Sequence, residues 1–121
     1  LDEAMESLIS LVGDTELDAA QLDTLGSFVG SAQAGALLDL RTALRAIGGQ
    51  DPGATSSVRK LVGVRHRQGL SEHILDYVDA HGAVESHEMW LFMRDRCLAI
   101  AGGTTQILLS VAGERLLGLP R

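Results

Sequence analysis

Only one of the ten basic residues is a lysine, Lys60, and the whole chain holds one cysteine, Cys97. A single cysteine closes no internal disulfide, which suits a reducing compartment, and a cytoplasmic setting is expected. Aromatic residues make up 3% of the 121 positions. Strand signals are missing with them: there is no sustained period-2 alternation and few β-branched runs. No run reaches the roughly 18 apolar residues that a membrane-spanning helix needs. Bases are outnumbered by acids, 10 to 16, for a formal charge of −6. Without clustered Lys and Arg to neutralise phosphates, nucleic acid is excluded as the main partner. The chain opens at Leu1 without a methionine or a signal-peptide pattern, and is read as a piece of something longer.

What is present is the composition of one folded domain, 45% hydrophobic and 21% charged. The abundance of Ala, Gly, Leu and Arg reads as the codon bias of a GC-rich genome. Helical periodicity runs almost throughout. Met5, Leu8, Ile9 and Val12 mark a short amphipathic helix over 2–12, which Gly13-Asp14 breaks. Thr15, with Asp18 three residues on, is the expected N-cap of a long helix running to Ile47. Leu22, Leu25, Val29, Ala32, Ala36, Leu40, Ala43 and Ile47 form its apolar seam, so it should pack lengthwise against other helices. Gly26, Gly30 and Gly35 inside it are expected to admit a neighbouring backbone.

Gly48 to Gly53 is the clearest loop. A third helix is expected over 54–81, with Val58, Leu61, Val62, Leu70, Ile74, Leu75 and Val78 on one face. A fourth should span 87–100 and be interrupted by Gly102-Gly103. A last helix begins near 104, turns Ile107, Leu108, Val111, Ala112 and Leu116 inward, and stops at Gly118, with Pro120 beyond. The fold class is therefore all-α, an antiparallel helical bundle in a single domain over 1–121. In the pairs Leu37-Leu38 and Leu108-Leu109 the side chains point about 100° apart, so one seam cannot easily bury both and the chain should self-associate.

The titratable clusters are weighed against ordinary surface. His66 and His73 are two turns apart, too far to share an ion. His81, Glu85, His87 and Glu88 gather at a helix junction and read as solvated helix ends, so no metal site is expected. Arg59, Lys60, Arg65 and Arg67 read either as a solvated or inter-subunit face or as a contact for a phosphate-bearing ligand. Cys97 has no base partner and reads as a buried thiol. Nucleophile elbows, Walker loops and dinucleotide fingerprints are missing. Gly102-Gly103-Thr104-Thr105-Gln106 stands apart: two glycines enter a helix whose first turn offers hydroxyls, free N–H groups and a positive dipole end. It suits an anionic or polar ligand, or is simply a well-capped helix break.

The C-terminal residues carry a resemblance. Arg94-Asp95-Arg96, then Ile100 to Ile107 with Gly-Thr-x-Gln-Ile at its centre, then Glu114 to Arg121 closing in Leu-Leu-Gly-Leu-Pro-Arg, resemble the end of the acyl-CoA dehydrogenase family. Ser57 to Gly63 resembles the start of its next-to-last long helix, and Asp79 to Ala83 stands where many members carry Gln-x-x-Gly-Gly. The match is close over about half the chain, while 1–53 agree only in helical pattern. The resemblance implies a C-terminal four-helix bundle with its first helix truncated, in an FAD enzyme of lipid metabolism that oxidises an acyl-CoA thioester to the 2,3-enoyl-CoA. In such an enzyme a carboxylate takes the α-proton while hydride leaves for the flavin. It implies a dimer or tetramer of such subunits. By position, Gly103, Thr104 and Gln106 would contact FAD, and Asp79 and Gly82 would approach the diphosphate end of a flavin held mainly by a neighbouring subunit.

Three positions depart from the family pattern, among them Ala83, which stands where a second Gly is usual. Asp79 replaces a neutral Gln, and its charge repels a pyrophosphate. Gly102 replaces the Glu that many members use as base, so this chain supplies no catalytic residue and the base is expected upstream. The isolated chain should hold FAD weakly or not at all. A non-catalytic partner subunit and a stand-alone helical interaction module are the alternatives.

Overall fold

A computed structural model describes residues 3–13, 16–51, 53–82 and 84–120, with the side chains of residues 3 and 79–82 outside that description. Five helices follow in order, α1 (Glu3–Val12), α2 (Ala19–Ile47), α3 (Thr55–Gly82), α4 (His87–Cys97) and α5 (Thr105–Leu117), and the described residues contain no strand. The all-α expectation holds, and the element order is the expected one.

The ends are set by local chemistry. The cap of α2 is Asp18 with Gln21, not Thr15 with Asp18. Asp18 accepts the Gln21 N–H at 2.8 Å, while its own N–H donates to the Gln21 side chain at 2.9 Å. Thr15 lies outside the described residues. α4 ends at Cys97 rather than Ile100, because the Leu98, Ala99 and Ile100 N–H groups reach back only three residues, tightening the chain into turns. Gly118, at φ +67°, stops α5 as expected.

α3 is the hub. Among the described residues it packs against each of the other four helices, α1 also touches α4, and α2 touches α3 alone. α2 runs antiparallel to α3: Phe28 near its start meets His66 and His73, while Asp39 and Arg45 further on reach Arg59 and Thr55. The core lies where α1, α3 and α4 meet. Ala4, Met5, Leu8 and Val12 from α1 close on Leu70 and Ile74 of α3 and Leu91 of α4, with Leu25, Phe28, Ala32 and Tyr77 packed at its edge.

The seam expected on α2 is only partly used. Leu25 and Ala32 touch the core, but no residue of α2 is buried, and Leu22, Leu40 and Ile47 are 55%, 55% and 83% exposed. The physical reason is that α3 covers one strip, through Leu25, Phe28 and Ala32, and nothing else described lies over the rest. Nor do the helix glycines admit a backbone: a Cβ on Gly26, Gly30 or Gly35 would meet nothing within 4 Å. The close approach is on α3, where a Cβ at Gly69 would sit 3.6 Å from the Phe28 ring. Leu37 and Leu109 point outward while Leu38 and Leu108 are half-buried, so each leucine pair is split. Ile107 and Leu116 are also exposed rather than inward. The chain exposes 7967 Å². A compact monomer of its mass would expose about 6,300 Å².

Candidate functional site

The turn between α4 and α5 is built on two glycines that only glycine serves well, Gly102 at φ +69° and Gly103 at φ +109°. Thr104 then caps α5, its hydroxyl accepting the Ile107 N–H at 3.3 Å. The Thr105 and Gln106 N–H groups, in the first turn, have no intrahelical acceptor. Gln106 is exposed, and Thr104 and Thr105 are half-buried.

Lys60 holds this turn from α3. Its ammonium donates to the Ala101 carbonyl, and to the Gly103 carbonyl at 2.7 Å. A Cβ at Gly102 would lie 3.5 Å from the same Nζ, ordinary contact, so the glycine is required by backbone conformation and not by space. Beside it opens a groove of about 480 Å³, lined among others by Ser57, Arg59, Lys60, Arg67, Gly102 and Leu108. Ser57 is buried on the first turn of α3.

The basic stretch divides between two grooves. Arg59, Lys60 and Arg67 line the first, where Arg59 pairs with Asp39 of α2 and Lys60 turns to the α5 entry, while Arg65 lines a second groove with Thr105 and Leu109. The histidines are packed as rings: Phe28 lies 6.1 Å from His66 and 5.4 Å from His73, and His73 meets Tyr77 edge-on at 5.2 Å. No group of three metal-ligating side chains occurs among the described residues. Cys97 is exposed, not buried, with its thiol donating to the Arg94 carbonyl at 2.8 Å. It ends the last full turn of α4, on the side away from Leu91 and Asp95, which face the core.

The expected site residues divide into two places. Gly103, Thr104 and Gln106 share the turn at the Lys60 end of α3. Asp79 and Gly82 stand at the other end of the same helix, about 30 Å away at 1.5 Å per residue. The side chains there lie outside the described residues. One ligand molecule at the turn would therefore not reach both places unless it spanned the helix. Between them, Arg96 of α4 locks to α3 by donating to Glu72 at 2.6 Å and to the Gln68 carbonyl at 3.1 Å, while the Gln68 amide donates to the Asp95 carbonyl at 3.0 Å. The Asp95 carboxylate is fully buried, with Oδ1 accepting from Arg94 and Oδ2 without a hydrogen-bond partner among the described residues.

Sequence reasoning missed the role of Lys60. Its helical spacing gave no sign that its ammonium folds onto a turn 41 residues later. The signal available was composition, a lone lysine in a stretch whose other bases are arginines.

An all-helical unit entered at its last helix through Gly-Gly-Thr-Thr-Gln, and closing in Leu-Leu-Gly-Leu-Pro-Arg, is homologous to the C-terminal part of an acyl-CoA dehydrogenase. Over all 121 residues it is 60% identical to the acyl-CoA dehydrogenase FadE34 of Mycobacterium tuberculosis, and it spans 17% of that protein's length. No family model matches the chain. None of the described helices is long and apolar enough to cross a membrane.

Proposed function

We propose that this chain is the C-terminal helical domain of an FAD-dependent acyl-CoA dehydrogenase, forming one edge of the flavin and substrate site and part of the subunit assembly. The observation that carries the reading is 60% identity to a protein named acyl-CoA dehydrogenase over the whole length of the chain, a span that takes in the α5 entry turn. The turn fits a flavin edge chemically. It presents the Thr105 and Gln106 N–H groups, the Thr104 hydroxyl and the Lys60 ammonium, and the carboxylate of Asp39 in the groove beside it is paired with Arg59. Gly103, Thr104 and Gln106 are the residues that would hold it. Bound there, FAD would supply the hydride acceptor for α,β-dehydrogenation of an acyl-CoA.

The chain's own part is to bind and orient. Gly102 has no side chain and moves no proton, so the base that removes the α-proton comes from outside these residues. Asp79 and Gly82, at the far end of α3, would meet a second flavin held by a neighbouring subunit, in a dimer or tetramer. The 7967 Å² of exposed surface and the uncovered face of α2 support such an assembly, in which the helices complete an antiparallel four-helix bundle. Gly102 also favours a second reading, a non-catalytic subunit whose partner supplies the base.

Acyl-CoA-dependent bleaching of the flavin absorbance, measured on the full-length protein alone and then with any co-encoded homologue, separates the two. Bleaching alone supports the catalytic reading. Bleaching only with the homologue supports the partner-subunit reading, and none in either case removes both.

A further inference from the structure

Lys60 is half-buried, and two of the three N–H groups of its ammonium are spent on the Ala101 and Gly103 carbonyls. No carboxylate comes within ion-pair distance of it among the described residues, whereas its neighbour Arg59 is paired with Asp39. A lysine that satisfied only the last carbonyls of α4 would be an ordinary helix-end contact. This one instead bridges both sides of Gly102, where the backbone passes through two consecutive positive-φ glycines. It therefore fixes the turn and leaves one positive charge there uncompensated.

Resting on the flavin reading above, we propose that Lys60 is a positioning residue for the flavin edge. It holds Gly102 and Gly103 in the conformation that presents Thr104, and its charge favours the reduced, more negative flavin. A cation near the ring raises the potential of a bound flavin, and the effect is strongest where water is partly excluded.

The test compares full-length protein carrying Lys60→Met, Lys60→Arg or Lys60→Gln with the wild type. The reduction potential of bound FAD is measured by equilibration with a reference dye, and amide hydrogen exchange is followed across residues 98–106. Lys60→Met is expected to lower the potential and speed exchange through the turn. Lys60→Arg, which keeps the charge and its donors, should restore most of both. Should Lys60→Met not fold, Lys60→Gln, uncharged but still a donor, is expected to lower the potential by itself. An unchanged potential in the uncharged variants overturns the charge effect, and unchanged exchange overturns the holding of the turn. A wild-type protein that takes up no FAD overturns the flavin reading and the charge effect with it. Exchange in the variants then still decides whether Lys60 holds the turn.

Discussion

Ten residues of α1 place four side chains in the core, while twenty-nine residues of α2 place none. The shorter helix lies in the angle between α3 and α4 and is covered from two sides; among the described residues the longer one leans on α3 alone. Both are amphipathic by periodicity. The difference shows that an apolar stripe records which residues call for burial, and not whether the covering partner belongs to the same chain. By this reading the leucines of α2 are an interface and those of α1 a core, and the two should answer differently to substitution.

The largest effect is expected in the core. Ile74→Ala, like Leu8→Ala, should cost about 2–5 kcal/mol of stability, read from the urea midpoint at constant slope. A loss under 1 kcal/mol would mean that α1 does not dock as described.

Next comes the α2 face. Replacing Leu37, Leu40 and Leu44 together by Ser should weaken self-association on the order of 100-fold or more, in sedimentation equilibrium. The unfolding midpoint of the monomer should hardly move, since exposed positions change stability by roughly 0.5 kcal/mol or less. A monomeric wild type, or a strongly destabilised variant, would erase the distinction between the two helices.

Gly102→Ala places a side chain in the left-handed region and should cost roughly 1 kcal/mol, without abolishing α-proton removal in an active parent. Loss of acyl-CoA-dependent flavin reduction in this variant, with the fold intact, would show that the turn does more than shape the site.

The smallest effect sharpens the comparison. Gly30 is helical, exposed and free of neighbours, so Gly30→Ala should stabilise the monomer by about 0.5–1 kcal/mol. If association falls as stability rises, another copy's backbone approaches there.

Much of the fold was legible because it is local. Helix positions follow from the 3–4 spacing, and the stops at Gly13, Gly48-Gly49 and Gly118 from the left-handed backbone that Gly13, Gly49 and Gly118 adopt. Less legible were the features that depend on a partner. Asp18 outcompetes Thr15 as cap because Gln21 can reach back to it, a reciprocal bond that one candidate cap residue does not reveal. The exposure of Leu22, Leu40 and Ile47 depends on what lies beyond α3, and that of Cys97 on the rotation of α4, neither of which spacing encodes. The α5 entry turn was legible as a special backbone; the lysine that braces it was not, because the two are joined only in three dimensions.

The hub position of α3 also bears on how the molecule comes apart. With α3 as its sole contact among the described residues, α2 can detach in a single opening event that strips Leu25, Phe28 and Ala32 from the edge of the core but leaves the α1, α3 and α4 side chains packed on one another. The chain is then built as two cooperative units of unequal strength. Amides of α2 would exchange through a shallow, local opening, and those around Leu70 and Ile74 only when everything unfolds. A second subunit seated on α2 would merge the units into one, so that exchange along α2 slows to the pace of the core as concentration rises.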